Sequence, residues 1–304
     1  MTNVLDRLPD GARVLVIRLR SLGDCVLTTP ALTLLKQFRP DLRLSVVVED
    51  GFRAVFTGNP DIDQILPPNA AHLARVRPHL ALNFHGGSTS VRMMLAAASG
   101  FRAGFGHFRF QPMYNIRIPR AQEILQVDRK VHTAEHLASA MFYLGVPRTE
   151  IPRARLFAAP DVRNGPYAVL HPFASAPDKT WPAERFLAIA AHLETSLGIE
   201  PVFIAGPNDA LAAFSRYACL QGAPLDQVKS LLAGAALFVG NDSGPAHMAA
   251  AFARPVAVIF GSSDLDNWRP WRTENVVFTN PAGIQAIDAS EVVSALAGLV
   301  LQPR

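Results

Sequence analysis

Short apolar runs recur along the chain, each followed by a polar, often glycine-containing loop and then by a segment with helical spacing. Arg13 to Arg18 (RVLVIR) reads as a buried first strand and Leu19 to Asp24 as the loop behind it. From Val26 to Phe38 the apolar positions Leu27, Leu32, Leu35 and Phe38 fall at helical intervals, with Pro30 near the start. Leu42 to Val48 reads as a second strand. Ile62 to Leu66 is a short strand bounded by Pro60 and Pro67, and Leu80 to Phe84 is another, ending in His85-Gly86-Gly87-Ser88. A helix over Met93–Ala98, a strand over Phe101–Phe105 and a helix over Val131–Leu144, closed by Gly145, complete the first half. The stretch 146–166 holds four prolines and little periodicity, so it reads as a connection. The pattern then restarts: a strand at Tyr167–Leu170, a helix opened by Trp181-Pro182 and running to about Leu197, a strand at Pro201–Ala205, and helices at Leu211–Tyr217 and Leu225–Ala233. A closing helix spans Ser290–Leu301. Strands alternating with helices predict α/β architecture: two Rossmann-like, doubly wound parallel sheets, one in residues 1–155 and one in 156–304.

The most informative stretch is Leu237 to Phe260, LFVGNDSGPAHMAAAFARPVAVIF. It reads as strand, tight loop, short helix, strand. Asp242 or Ser243 can cap the helix, and Pro245 suits its first turn, where a missing N–H costs nothing. Gly244 lets backbone approach a ligand closely. The unpaired N–H groups and the dipole of such a helix start favour an anion such as phosphate, with His247 one turn inside. Any βαβ unit shares these features, so the stretch alone leaves the function open. In an open α/β sheet, ligands bind at the C-terminal strand ends. The polar loops 19–24, 85–88, 171–180, 206–209 and 240–244 all fall there, which is what points to a functional cleft between the two halves.

Charge changes the picture in one place. The net charge of +4 is uneven: residues 1–150 hold 18 Lys+Arg and 12 Asp+Glu, whereas 151–304 hold 11 and 13. Between 75 and 130 there are nine basic residues against two acids, Glu123 and Asp128. This basic face suits an anionic partner, either a phosphorylated glycolipid or a membrane surface, or is simply solvated. Nucleic acid is disfavoured, because no nucleic-acid motif accompanies the charge. At 49% hydrophobic and 18% charged residues, the composition is that of an ordinary globular α/β protein. Two distant cysteines, Cys25 and Cys219, imply neither a disulfide framework nor a metal site and fit a reducing cytoplasm. The first residues carry Asp6, Arg7 and Asp10 rather than a signal-peptide core, and no apolar run approaches the length of a transmembrane helix.

Two side chains stand out as candidate chemistry. Asp24 lies just past the first strand, where a carboxylate can take a proton from a substrate hydroxyl; equally, it can cap the following helix. Lys179, in Asp178-Lys179-Thr180-Trp181-Pro182, is one of only four lysines, and a compact cation before a helix suits a phosphate; a solvated surface lysine is the plainer reading. Neither G-x-G-x-x-G nor G-x-x-x-x-G-K-[ST] is present, and no His/Cys/carboxylate set has metal spacing. His132 and His136 flank Glu135 in the wrong order for a zinc helix and read as a polar helix face. Asp242-Ser243-Gly244 is not a nucleophile elbow.

Three blocks together resemble one family. VLVIRLRSLGDCVLTTPALTLLKQFRPD resembles the opening of the bacterial ADP-heptose lipopolysaccharide heptosyltransferases. HPFASAPDKTWPAERF resembles their donor-phosphate loop, and FVGNDSGPAHMAAAFARPVAVIFGSSD their D-[ST]-G-x-x-H donor motif. The blocks occur in family order and span nearly the whole chain. The resemblance implies a GT-B glycosyltransferase whose two domains face a central cleft. The N-terminal half would take the acceptor and the C-terminal half an ADP-sugar donor, ADP-heptose. Transfer would invert the anomeric centre without a metal or other cofactor. By matching position, Asp24 would be the general base, Ser175, Lys179 and Thr180 would contact donor phosphates, and Asp242, Ser243, Gly244 and His247 would hold donor sugar and pyrophosphate. The acceptor would be an anionic glycolipid, such as lipopolysaccharide inner core, at the inner face of the cytoplasmic membrane. The protein would be cytoplasmic or peripheral on that membrane. Arg20, His85, Arg92, Arg109 and Arg117 are acceptor candidates from charge and position alone. Arg20 stands where the family usually carries a small or hydroxyl residue, and the stretch after Asp209, through Cys219-Leu220-Gln221-Gly222, reads as a shortened loop. A nucleotide-sugar epimerase on the same fold, and a non-catalytic sugar-nucleotide or glycolipid binder, are the alternatives. An epimerase would need no basic acceptor surface, and a pure binder would have no use for Asp24.

Overall fold

The computed structural model describes residues 3–300. The chain divides into two compact units, residues 1–155 and 156–304. In the first unit the elements are β1 (Arg13–Ile17), α1 (Leu22–Phe38), β2 (Arg43–Val47), α2 (Arg53–Phe56), β3 (Gln64–Leu66), α3 (Ala70–Val76), β4 (Leu80–Asn83), α4 (Ser88–Ala96), β5 (Phe101–Phe105), β6 (Ile116–Ile118), α5 (Ala121–Leu125) and α6 (Thr133–Leu144). In the second they are β7 (Tyr167–His171), α7 (Ala183–Leu197), β8 (Glu200–Ala205), β9 (Ala218–Gln221), α8 (Leu225–Gly234), β10 (Leu237–Asn241), α9 (Gly244–Ala251), β11 (Val256–Ile259), α10 (Leu265–Trp268), β12 (Asn275–Phe278) and α11 (Ala289–Val300).

Each unit holds one six-stranded sheet, ordered β3-β2-β1-β4-β5-β6 and β12-β11-β10-β7-β8-β9, with every pairing parallel. Taken from β9, the second order repeats the first, so both are Rossmann-type sheets. Helices cover both faces, which is why the central strands are continuous apolar runs rather than alternating ones. Val14 to Ile17 and Leu237 to Val239 are almost wholly buried. In the first unit Leu15, Ile17 and Val47 pack against Leu73 and Met94 of the helices. In the second, Trp181, Phe186, Phe203, Phe214 and Leu296 form the centre of the core. Buried Trp181 satisfies its indole N–H on the Ile287 carbonyl at 3.0 Å and sets its ring edge-on to Phe186 at 5.1 Å, as a buried indole must.

Several elements depart from the expectation. The helix over 211–217 is only a 3₁₀ turn, Leu211–Phe214, and the stretch read as a shortened loop forms the edge strand β9. β6 and β12, also at sheet edges, are three and four residues long and were not foreseen. Edge strands are paired on one side only and partly exposed, so they lack the apolar signature of the centre. α4 starts at Ser88, before the expected Met93. His132 is not on a polar helix face: it is buried and caps α6, its Nδ1 accepting from the Ala134 N–H at 3.0 Å. Leu301, at the expected end of the last helix, lies outside the described residues.

α1 starts at Leu22, so Gly23 and Asp24 belong to its first turn and not to a loop. Pro30 is then inside the helix and leaves the Val26 carbonyl without its backbone donor. Buried Thr29 replaces that donor, its hydroxyl reaching Val26 O at 2.8 Å while its oxygen accepts from Arg155 N–H at 3.0 Å. Thr29→Val removes both bonds at nearly constant shape. It should cost about 1–3 kcal/mol in urea unfolding, and Thr29→Ser should recover most of the loss.

Candidate functional site

Each sheet reverses its strand order once, between β1 and β4 in the first unit and between β7 and β10 in the second. Crossovers leave such a point in opposite directions, so the C-terminal strand ends there stay open to ligand. Both candidate clusters sit at these points.

In the first unit, Arg18 directly follows β1. It is 7% exposed, and its Nη2 lies 3.3 Å from Asp24 Oδ1. Ser21 Oγ donates to the other Asp24 oxygen at 2.9 Å. The carboxylate is thereby oriented from two sides while its side chain keeps 23% exposure. Asp24 is in the first helical turn, but its oxygens face Arg18 and Ser21 and cap no backbone N–H among the described residues. His85, behind β4, contacts the Arg20 carbonyl through Nδ1 at 3.2 Å. Its loop is tied down by buried Asn83, whose Oδ1 accepts from the N–H groups of His85 and Gly86 at 3.1 and 3.0 Å. Burial lowers the His85 pKa, and the Arg18 charge adds to the effect. His136, expected on a polar face, instead stacks on Phe105 with centroids 4.0 Å apart and lies 5.4 Å from the His107 ring. Burial brings it down to about 4, with His107 and Arg18 contributing. Cys25 is pushed up to about 12 by burial and stays a thiol.

Of the acceptor candidates, Arg20 is exposed and reaches Glu49 at 3.8 Å. Arg92, Arg109 and Arg117 are exposed and form no hydrogen bond or ion pair with Asp24. The structure therefore gathers Arg20, Asp24 and His85, and leaves the other three on the surface. Sequence reasoning missed Arg18 and Asn83. The available signal was a polar residue ending a strand-like apolar run.

In the second unit, His171 ends β7 and its Nδ1 lies 3.0 Å from Ser243 Oγ. Ser243 is the N-cap of α9, but its hydroxyl turns to His171 and makes no cap bond; Pro245 occupies the first turn. Burial brings His171 down to about 4, so the ring is neutral near pH 7. Asn241 ends β10 as Asn83 ends β4, and its Oδ1 accepts from the Trp181 N–H at 3.1 Å. Asp242 is raised by burial, against which the Ser263 hydrogen bond and the Lys179 charge act. Gly261 matters here: a Cβ would run into the Asp178 carbonyl, so only glycine lets the end of β11 meet the Pro177–Lys179 turn. Ser175 and Thr180 line an open cavity of about 570 Å³ with Trp181, Glu184 and Gln285. Thr180 steadies that loop, donating to Ala176 O at 2.9 Å and accepting Gln285 Nε2 on its carbonyl at 3.0 Å. His247 is buried on α9, its ring 6.1 Å from Trp268. The structure so groups Lys179 with Asp242, and Ser243 with His171. Among the described residues no three His, Cys, Asp or Glu side chains converge as a metal site.

Two Rossmann-type sheets carrying polar clusters at both switch points are the architecture of GT-B sugar transferases. Residues 71–292 match the model of glycosyltransferase family 9 (heptosyltransferase), and the chain belongs to that family and is a glycosyltransferase. It is 26% identical over 301 residues to lipopolysaccharide heptosyltransferase 3 of Escherichia coli K12, covering 84% of each chain. A solved family 9 glycosyltransferase from Veillonella parvula superposes with a TM-score of 0.83 at 21% identity, over 97% of this chain and 98% of that one. An E. coli heptosyltransferase solved with ADP-2-deoxy-2-fluoro heptose gives 0.75 at 22% identity, over 94% and 99%. These likenesses establish the fold and leave the site residues to be judged on their own geometry.

His136 and His171 generate a pH dependence. In the unfolded chain they titrate near 6.5, and in the folded one near 4. Between these values the unfolded state binds more protons, so the contribution of the two histidines to stability should fall as pH drops from about 6.5 to 4. Urea unfolding at pH 7, 5.5 and 4.5 measures the slope. His136→Phe, which keeps the stack on Phe105, should flatten it.

Proposed function

We propose that the protein transfers a heptose, or a closely related sugar, from an ADP-sugar to a hydroxyl of an acidic glycolipid such as lipopolysaccharide inner core. The observation that carries this reading is the half-open Asp24 carboxylate, held by Arg18 and Ser21 at the first unit's switch point. An ion-paired carboxylate in that position is oriented to receive a proton and is kept from swinging away. As the acceptor oxygen attacks the anomeric carbon, Asp24 takes its proton, the new C–O bond forms on one face, and the bond to the diphosphate breaks on the other. Transfer therefore inverts the centre. Lys179 and the amide-rich start of α9 offset the charge growing on the departing diphosphate, the electrostatic role that a metal fills in other transferases. Ser175 and Thr180 stand beside the phosphates, and Asp242, Ser243, Gly244 and His247 hold the sugar and pyrophosphate. The first unit would serve the acceptor and the second the donor.

Support for the donor comes from relatives: E. coli heptosyltransferases have been solved with ADP and with ADP-2-deoxy-2-fluoro heptose. Support for the acceptor is the basic segment 75–130 and the names of the curated relatives, lipopolysaccharide heptosyltransferases. No helix among the described residues is long and apolar enough to cross a membrane.

Asp24→Asn should abolish transfer while leaving donor affinity within a few-fold. It should also cost about 1–3 kcal/mol of stability, since Arg18 loses its counter-charge. Persistence of normal turnover would remove Asp24 from the mechanism. In a thermal-shift series, ADP-sugars should raise the melting temperature more than UDP- or GDP-sugars. Lys179→Met should weaken ADP-sugar binding by about 1.5–3 kcal/mol, the range for a hydrogen bond to a charged group, with little change in stability without ligand.

A further inference from the structure

A second polar cavity, of about 580 Å³, opens at the other end of the first sheet and is lined by Arg13, Arg43, Ser45, Asp63, Gln64, His72, Arg75 and Val76. From it we infer a binding site for a phosphate-bearing anion, separate from the Asp24 cluster.

The floor is set by strand register. Arg13 of β1 pairs with Arg43 of β2, and Ser45 of β2 pairs with Gln64 of β3. Residues two apart on a strand share a face, so these four polar side chains form one patch where the same face continues as apolar core through Leu15, Val47 and Leu66. Two arginines side by side on neighbouring strands repel each other, and Arg75 adds a third cation from the last turn of α3. No acid in the cavity answers them. Asp63 is the only carboxylate in the lining, and its Oδ2 is engaged by the Leu44 N–H at 2.8 Å and Lys36 Nζ at 3.3 Å.

The C-terminus of α3 explains only one of the three. Arg13 donates from Nε to Val76 O at 3.0 Å and from Nη2 to Arg77 O at 2.9 Å, which fixes its guanidinium in place. The Arg43 and Arg75 side chains make no hydrogen bond or ion pair among the described residues. A fixed guanidinium, two uncommitted ones, and hydroxyl and amide donors on the floor suit the several oxygens of a phosphomonoester or diphosphate. The volume is in the range of small-molecule sites and admits more than a bare phosphate, such as a sugar phosphate or a phospholipid headgroup. Arg13 opens β1 and Arg18 follows its end, so a strand of roughly 17 Å separates this cavity from the Asp24 carboxylate.

Titration calorimetry of the full chain with pyrophosphate, combined with hydrogen exchange to locate binding, tests the site. Pyrophosphate should slow exchange in 43–47 and 70–77. Affinity for that event should fall at least tenfold in Arg75→Gln, a change at an exposed side chain with no partner to lose, and further in Arg43→Gln/Arg75→Gln. Arg43→Lys/Arg75→Lys, which keeps the charge, should bind between the wild type and the glutamine pair. Protection confined to the second unit, or unchanged affinity in the double glutamine variant, would overturn the inference. Sedimentation with phosphatidylglycerol-containing vesicles, against pure phosphatidylcholine, distinguishes the sources. Loss of both vesicle and pyrophosphate binding in the double variant identifies a lipid headgroup, and loss of pyrophosphate binding alone identifies a soluble phosphate.

Discussion

The constraint on which the rest depends is the reversal of strand order in each parallel sheet. Parallel strands need crossovers, and crossovers that leave in opposite directions at β1/β4 and β7/β10 cannot cover the strand ends between them. Both the Asp24 cluster and the Lys179–Asp242 cluster are attached there. Both units end their fourth strand in a buried asparagine, Asn83 and Asn241, whose Oδ1 accepts backbone N–H groups of a neighbouring loop. A side-chain amide does here what a longer strand cannot: it fixes loop backbone at the point where the ladder stops.

Electrostatics at these points follows from burial. His85, His136 and His171 are all pushed toward the neutral form, and the Cys25 thiol toward the protonated one. Positive charge is thus supplied by Arg18 in the first cluster and by Lys179 in the second. Each has a carboxylate for company, Asp24 in direct contact and Asp242 within electrostatic reach. Burial lowers the Arg18 pKa, with the Asp24 charge acting against it, but a guanidinium starts so far above neutrality that it keeps its charge where an imidazole does not.

The same sheet carries polar residues at both ends for different reasons. At the C-terminal end of β1 the strand simply stops at an open crevice. At the N-terminal end, the register that sets buried Val14 beside buried Leu44 also sets Arg13 beside Arg43. The arginines are therefore held together by the apolar residues between them, whatever their mutual repulsion.

The sequence by itself determined the class of fold. Runs such as RVLVIR and LFVG can be buried only between two layers of helices, and their alternation with helical spacing leaves little but paired doubly wound sheets. It also marked Asp24, Lys179 and the Asp242–His247 stretch, because these follow central strands with strong apolar signals. What it did not carry were features whose cause is distant in the chain. β6, β9 and β12 owe their existence to a neighbouring strand and have little apolar pattern of their own. Arg18 looked like the end of a strand until α1 began at Leu22 and turned Asp24 back toward it. His136 looked like a polar helix position until Phe105 supplied a ring to stack on, and His171 gained its meaning only from Ser243 in a loop far along the chain. Periodicity records which face of an element is buried; which side chains then meet depends on how elements far apart in sequence pack, and that was decided by the tertiary structure alone.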